Sequence, residues 1–323
     1  MTDRKSVLVV VPVHLGGRET GTALSAGLAD RAEVTVVEST DEDPAALARA
    51  QAVVTALAPV TAGQIAAAPR LEFVQCTSHG FDYIDLDAAR RHGVTVANIS
   101  STGAEQQDVA EHTFALMLAL AKQIIPAHTA LAAADWATPR LQPALTELSG
   151  KTLGLVGFGA IGQQVARRAV AFDMAVRYTA RHGYPEAEQR YGARRVELEE
   201  LLRTADYVSL HLPLTPETRR LLDRDRLALL KPTAFLVNTS RGAIVDQEAL
   251  ADALEAARLA GAGLDVFDPE PPTAALRLLR TPNTVLTPHI AGVTRETLVR
   301  IALAAIDNTA AYLEGRPPRD TVG

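Results

Sequence analysis

The sequence predicts an α/β protein of two domains, each built on a parallel sheet. Short apolar, β-branched runs alternate with helical stretches along most of the chain. The alternation breaks after Lys122 and restarts at Lys151, where the first new strand runs into a glycine-rich turn. At 323 residues the chain also exceeds one comfortable core.

Strands are predicted over 6–11, 33–37, 51–54, 71–75 and 94–97, with helices over 44–49 and 86–91. The latter ends in His92-Gly93, a helix-stop signal. Residues 104–122 read as a long helix, apolar almost all round after His112, and so expected to be buried between domains or subunits. Residues 126–149 are richer in Pro and Thr, carry Trp136, and read as an irregular arm. From Lys151 the strands are 152–156, 174–178, 206–210, 234–238, 262–266 and 284–287, with a helix between the glycines and Phe172. A last helix, 295–313, is expected to pack back on the first domain and make it discontinuous. The expected domains are therefore 1–101 with 293–323, and 102–292.

Composition narrows the function. Hydrophobic residues make up 47% and charged residues 22%, an ordinary soluble balance. A net charge of −6 with no basic face argues against a nucleic-acid partner. The apolar run 114–121 is under half of a bilayer span, so no membrane partner and no targeting segment are expected. Cys76 is the single cysteine, which excludes an intramolecular disulfide and fits a reducing, cytoplasmic setting. Its place at the end of an apolar strand reads as a buried structural thiol. The eight histidines do not pair with Cys or carboxylates at ligand spacing, so no metal is expected.

Gly157-Phe-Gly-Ala-Ile-Gly matches G-x-G-x-x-G directly after a strand and at the start of a helix. Gly157 permits the tight turn, Gly159 lets a pyrophosphate approach the backbone, and Gly162 allows close helix–strand packing. The helix start at Ala160 and Ile161 offers N–H groups and a positive dipole end to phosphates. This is a dinucleotide-binding signature. The second strand then ends Arg177-Tyr-Thr-Ala-Arg, with Thr179 where a ribose-binding carboxylate is expected for NAD. Without that carboxylate, Arg181 could bind a 2′-phosphate, so NADP(H) is the preferred cofactor and NAD(H) a possible one. The plainer reading of Arg181 is a surface arginine beside His182.

Three further segments each deliver one ionisable side chain just past a predicted strand. Asn-Thr-Ser-Arg-Gly places Arg241, Asp-Val-Phe-Asp-Pro-Glu-Pro places Glu270, and Thr-Pro-His-Ile-Ala-Gly places His289. Residues past the C-terminal strand ends of an open parallel sheet line the ligand crevice. A cation, a carboxylate and an imidazole there could bind an anion, tune a proton donor and transfer a proton. Singly, Arg241 could be a salt-bridge partner, His289 a core histidine and Glu270 a solvated loop residue.

Taken in order, His79-Gly-Phe-Asp, Val109-Ala-Glu-His, the glycine turn, His211-Leu-Pro-Leu-Thr-Pro-Glu-Thr and the three segments resemble the D-isomer-specific 2-hydroxyacid dehydrogenase family over nearly the whole chain. The resemblance implies two Rossmann-like or flavodoxin-like domains with a deep cleft between them, and reduction of a 2-oxo acid to the D-2-hydroxy acid. Arg241 would clamp the substrate carboxylate, His289 would protonate the keto oxygen, and Glu270 would orient the imidazole and favour its charged form. Leu212, Pro213 and Thr218 would lie along the pyrophosphate and adenine, Thr239 and Ser240 would border the nicotinamide ribose, and Gly292 would also bind the cofactor. Asp265 would accept from the carboxamide. Its burial without such a partner would be costly, although a cap or turn role stays open.

The loop Thr77-Ser78-His79-Gly80 looks like the family's carboxylate-binding loop, which works through backbone N–H groups. Leu57 joins it on the substrate side, and two readings of the His79 side chain stay open, a substrate contact and an incidental place in the loop. Ser78 stands where the family usually has glycine, and His79 where phosphite-oxidising relatives have lysine. Thr55 stands about where phosphoglycerate-specific members carry arginine, which argues for an unphosphorylated substrate such as glyoxylate, hydroxypyruvate or pyruvate. Segment 100–108 is about two residues longer than in many members. The family is commonly dimeric, so a homodimer is expected. Two other readings remain open: a dinucleotide-sensing, corepressor-like binding protein, and a formate- or phosphite-oxidising enzyme.

Overall fold

The computed structural model describes residues 4–322. In chain order, β1 (Ser6–Val10), α1 (Gly17–Ala26), β2 (Glu33–Val37), α2 (Pro44–Arg49), β3 (Ala52–Thr55), α3 (Ala62–Ala66), β4 (Phe73–Cys76), α4 (Leu86–Arg91) and β5 (Thr95–Ala97) come first. Next are α5 (Gln106–Ala121), α6 (Ile124–Ala132), α7 (Thr138–Leu141), β6 (Thr152–Val156), α8 (Ala160–Ala171), β7 (Ala175–Thr179), α9 (Pro185–Tyr191), β8 (Arg194–Arg195), α10 (Leu198–Thr204) and β9 (Tyr207–Leu210). The chain ends with α11 (Arg224–Leu227), β10 (Phe235–Asn238), α12 (Gln247–Glu255), β11 (Gly261–Leu264), β12 (Thr284–Leu286), α13 (Arg295–Leu313) and β13 (Thr321–Val322). The chain folds as two compact units, one of residues up to Ala104 together with those from Arg295, the other Glu105–Thr294.

The first unit holds a sheet of order β13-β5-β4-β3-β1-β2, parallel except for β13. Without β13 this is the flavodoxin-like order, in which β1 lies between β2 and β3. Val9 pairs with Val36 on one side and Val54 on the other. Strands covered on both faces read as continuous apolar runs rather than alternating ones, as Val7–Val10 and Val53–Val54 do. Each such side chain stabilises the fold by roughly 1.5–3 kcal/mol. Asp43 and Asp85 cap α2 and α4 by accepting the Ala46 and Ala88 amides. Cys76 is fully buried at the end of β4, as a structural thiol should be.

The second unit holds a parallel sheet of order β12-β11-β10-β9-β6-β7-β8. The chain runs outward from β6 through β7 to β8, then returns to β9 on the other side. That reversal makes the C-terminal ends of β6 and β9 the switch point where open α/β sheets bind ligands. Tyr178 of β7 is fully buried and stacks on Phe158 with ring centroids 3.9 Å apart, which holds the glycine turn against the second strand. The parallel order β12-β11-β10 also sets side by side the three strands that lead to His289, Glu270 and Arg241.

Two expectations are corrected. Residues 126–149 are not an irregular arm: α6 and α7, with a 3-10 turn at Gln142–Ala144, make much of the segment helical. Pro126 falls in the first turn of α6, where no N–H is needed, so it does not interrupt the helix. The apolar run before residue 122 needs no second domain or subunit to explain it. Phe114, Leu116, Met117 and Leu120 of α5 are buried in their own unit. A Cβ on Gly263 would lie 2.9 Å from the Leu116 Cβ, so the missing side chain is what lets α5 settle on β11. The opposite face, with Glu111 and Ala115, is exposed. No single helix among the described residues is long and apolar enough to cross a membrane.

Candidate active site

Arg241, Glu270 and His289 all follow the C-terminal ends of adjacent strands, and two of them touch. His289 Nδ1 lies 2.6 Å from Glu270 Oε2. The other oxygen of Glu270 accepts the Phe267 N–H at 2.7 Å, which fixes the carboxylate plane. Burial alone would raise the Glu270 carboxyl, but the hydrogen bond and charge of His289, the Phe267 amide and the nearby charge of Arg241 outweigh it. The carboxyl is held below its ordinary range. Both side chains remain reachable, at 29% exposure for Glu270 and 28% for His289.

The loops carrying these groups meet at a glycine. A Cβ on Gly242 would sit 2.0 Å from the Phe267 carbonyl carbon. Only glycine lets the segment after β10 press against the segment after β11, and so brings Arg241 into the field of Glu270. Asn238 braces the same turn. Its Nδ2 donates to the Arg241 carbonyl at 2.8 Å, and its Oδ1 accepts the Ser240 hydroxyl at 2.8 Å and the Ser240 N–H at 3.0 Å. Arg241 Nη1 donates to the Ser240 carbonyl at 2.8 Å. The Thr239 hydroxyl lies 3.3 Å from that of Thr113, so Thr239 packs inward while Ser240 is half-buried.

Asp265 corrects the sequence reading twice. It lies just beyond β11 rather than inside a strand over 262–266. It is fully buried, yet its oxygens accept the Thr287 hydroxyl at 2.6 Å and the Ile290 and Ala291 N–H groups at 2.9 Å each. His112 Nε2, 2.9 Å from the Thr287 hydroxyl, approaches the same carboxylate at 3.5 Å. Its burial therefore has intrachain compensation, and the cost argument for a ligand contact falls away. What Asp265 does is suspend the 290–291 backbone, with Gly292 next in line, while its own carbonyl accepts the His289 N–H at 2.8 Å. His289 itself has φ of 54°, a left-handed conformation uncommon for a side-chain-bearing residue. Such strain persists only where surrounding bonds over-determine it.

At the switch point the three glycines differ in the way a dinucleotide cradle requires. Gly157 has φ of +99°, and a Cβ there would lie 2.2 Å from the His211 carbonyl oxygen. A Cβ on Gly162 would lie 2.5 Å from the Gly157 carbonyl oxygen. Gly159 is the contrast, with nothing within 4 Å of its Cβ position. Gly157 and Gly162 thus serve close packing, while Gly159 opens on free space at the start of α8, Ala160 and Ile161, which no side chain caps. Open space, a positive dipole end and uncapped amides fit a pyrophosphate. Leu212 reaches to 3.0 Å of the Gly157 Cβ position, beside the same turn. Burial drives His211 down to about 3, so it lies neutral under the cradle, 2.9 Å from the Ser209 hydroxyl. Thr218 donates to the Pro213 carbonyl at 2.7 Å and accepts the Thr215 N–H at 2.8 Å, so its hydroxyl closes the 213–218 turn.

Thr179 is half-buried at the end of β7 and Arg181 is exposed just beyond. Arg195 of β8 grips this bend, donating to the Ala180 carbonyl at 2.9 Å and the Arg181 carbonyl at 3.3 Å. Glu217 is held low first by the Thr215 side chain and its own backbone, with the Arg181 charge adding to the effect.

Leu57, Ser78, His79 and Gly80 lie in the first unit. Leu57 has φ of 58° in the turn where the Thr55 hydroxyl donates to the Ala58 carbonyl at 2.8 Å. Thr55 is itself fully buried. Ser78 and Gly80 are half-buried and His79 exposed. The braces at Asn238 and Gly242 were not among the expected site residues. Gly242, directly after Arg241, carried the one signal that could have shown its role.

Known proteins agree with this architecture. Residues 114–291 match the model of the family described as D-isomer specific 2-hydroxyacid dehydrogenase, NAD binding domain. A glyoxylate reductase of Aeropyrum pernix is 43% identical over 260 residues, covering 79% of this chain and 77% of that protein. A glyoxylate/hydroxypyruvate reductase B of Pectobacterium carotovorum is 39% identical over 282 residues, covering 87% of this chain and 88% of that protein. The solved structure of an NAD-dependent formate dehydrogenase from Staphylococcus aureus, in complex with NAD, superposes with a TM-score of 0.90 at 29% identity, covering 98% of this chain and 99% of that one. With a nicotinamide-dinucleotide cradle at the switch point of its second sheet and two parallel-sheet units, the chain belongs to the D-isomer-specific 2-hydroxyacid dehydrogenase family of oxidoreductases.

Proposed function

We propose that the protein reduces a small, unphosphorylated 2-oxo acid of the glyoxylate, hydroxypyruvate or pyruvate type to the D-2-hydroxy acid, with NADPH preferred over NADH. The observation that carries the reading is the 2.6 Å contact of His289 Nδ1 with Glu270 Oε2, in the field of Arg241. With Nδ1 engaged by a carboxylate, Nε2 is the nitrogen left to hold a proton for the substrate oxygen. Glu270 stays ionised and stabilises the imidazolium before the proton leaves. Arg241 presents a guanidinium that can take a carboxylate in two-pronged fashion and polarise the adjacent carbonyl. In the first unit, backbone amides of the loop after β4, with Leu57, are assigned to the substrate side. A reduced nicotinamide dinucleotide bound along Gly159 supplies the hydride.

The preference for NADPH rests on Thr179 in place of a carboxylate and on Arg181 exposed beside it. The unphosphorylated substrate rests on Thr55, whose buried, internally bonded hydroxyl leaves no cation for a dianion. Residues 1–101 with 293–323 then form the substrate domain and 102–292 the cofactor domain. A homodimer accounts for α6, which buries none of its residues and exposes Ile124 at 51%, Ile125 at 53% and Leu131 at 59%, with Trp136 following at 78%. The single buried cysteine suits the reducing cytoplasm.

Spectrophotometric NADPH oxidation with a panel of 2-oxo acids tests the function. Turnover on glyoxylate or hydroxypyruvate, more efficient with NADPH than NADH, is expected. Cofactor binding without turnover would favour a sensing protein, and turnover only on formate or phosphite would replace the reaction. A monomer by light scattering would remove the dimer.

A further inference from the structure

The loop after β4 is held by two side-chain locks on successive carbonyls. Asn98 Nδ2 donates to the His79 carbonyl at 2.8 Å, and the Ser78 hydroxyl donates to the Gly80 carbonyl at 2.8 Å. Tyr83 Oη lies 3.0 Å from that hydroxyl, within hydrogen-bond reach. Behind it, burial pushes the Cys76 thiol up to about 12 and the Tyr83 hydrogen bond only partly offsets this, so the sulfur keeps its proton. Asn98 is fixed in turn: its Oδ1 accepts the Ser100 N–H at 3.0 Å, and its carbonyl accepts Gln75 Nε2 at 3.1 Å. Asn308 Nδ2 reaches Gln75 Oε1 at 2.8 Å and completes a buried chain. The Ser100 bond also settles which end of the Asn98 amide faces His79.

In a trans peptide the N–H points opposite its C=O. Turning the His79 carbonyl onto Asn98 aims the Gly80 N–H away from Asn98. Turning the Gly80 carbonyl onto Ser78 likewise aims the Phe81 N–H away from Ser78. Neither N–H has an acceptor among the described residues. Two successive amides without internal acceptors, on half-buried residues, make an anion-binding surface.

We infer that Asn98 and Tyr83 are positioning residues for the substrate carboxylate, holding through these two locks the Gly80 and Phe81 amides that receive it. The inference rests on the proposed function, which puts the 2-oxo acid on this loop. It goes further in assigning substrate affinity to two side chains that do not touch the substrate.

The test is steady-state kinetics of the full chain with glyoxylate varied at saturating NADPH, and with NADPH varied at saturating glyoxylate. Asn98→Asp keeps the oxygen that accepts from Ser100 but cannot donate to His79. Tyr83→Phe removes one hydroxyl without changing shape, and decides alone if the aspartate variant fails to fold. Loss of one hydrogen bond should raise KM for glyoxylate about 3- to 5-fold in Tyr83→Phe, and about 10-fold in Asn98→Asp. KM for NADPH and kcat should stay within about twofold. An unmoved KM for glyoxylate in folded variants, or a parallel rise in KM for NADPH, would overturn the inference while leaving the proposed function intact. Absence of any 2-oxo acid turnover by the unaltered chain would remove both.

Discussion

His289 and Glu270, nineteen positions apart, meet at 2.6 Å through Nδ1 and Oε2 because parallel strands β11 and β12 deliver them to the same sheet edge. The pair is built from the backbone outward. The Asp265 carbonyl takes the His289 N–H, its carboxylate takes the next two amides, and the Phe267 N–H holds Glu270. An imidazole with Nδ1 committed to a carboxylate follows from that framework.

His289→Ala should lower kcat by about 10²–10⁴-fold with the fold intact, the range typical of a lost general acid. Glu270→Gln keeps the shape but removes the charge, so turnover should fall by orders of magnitude as well. Circular dichroism confirms folding and steady-state rates give the effect. Undiminished turnover in His289→Ala would remove it from the chemistry.

Glu270 also makes a prediction about pH. Its carboxyl is held below its ordinary value of 4.5 in the folded chain. A depressed carboxyl contributes stability that is present above the unfolded value and lost as pH falls through the folded one. The melting temperature should therefore fall less steeply on the acid side in Glu270→Gln than in the unaltered protein. Parallel acid limbs would show that the pair contributes nothing to the folded state.

The three glycines of the cradle should separate by readout. Gly157→Ala must place a side chain at φ of +99° and against the His211 carbonyl, and Gly162→Ala must push on the Gly157 carbonyl. Each should cost roughly 1–3 kcal/mol of stability by thermal or denaturant unfolding. Gly159→Ala meets nothing within 4 Å, so its melting temperature should hold while KM for the dinucleotide rises. Equal destabilisation by all three would contradict the division between packing and ligand space.

Arg181→Ala should raise KM for NADPH by about 10- to 100-fold, as for a lost charge-assisted hydrogen bond, with little change for NADH. Arg195→Ala acts on the same bend only through the carbonyls of Ala180 and Arg181, so a smaller shift in the same direction is expected. Titration of each variant with both cofactors, followed by nicotinamide fluorescence, measures the ratio. An unchanged NADPH-to-NADH preference in Arg181→Ala would return that residue to the plain surface.

Asp265→Ala would strand the buried Ala291 and partly buried Ile290 amides and the Thr287 hydroxyl. At about 1–3 kcal/mol for each unsatisfied group, unfolding should shift well beyond that of a surface change. Because the His289 backbone hangs on the same residue, kcat should fall with it. A variant of normal stability with only a raised cofactor KM would favour the carboxamide role over the supporting one.

Much of this was readable from residue order. Alternating apolar runs and caps such as Asp43 and Asp85 are local, and so were strands such as β2 and helices such as α2, α4 and α13, whose bounds the pattern predicts to the residue. The glycine turn was readable for the same reason, since its three glycines answer to constraints within one strand–turn–helix unit. Trp136 and its neighbours were harder. Pro126 signals a break in sequence, but at the first turn of α6 it costs no hydrogen bond.

The chain order alone establishes that a cation, a carboxylate and an imidazole each follow a strand, because side-chain chemistry and strand signals are local properties. Which of them touch was decided in three dimensions. The order β12-β11-β10, the missing side chain of Gly242 against Phe267, and the internal donors around Asp265 depend on partners distant in sequence. Those same long-range contacts gave Asp265 a supporting role for His289 that residue order did not show. They also made Ser78, a departure from glycine, into a lock on its own loop.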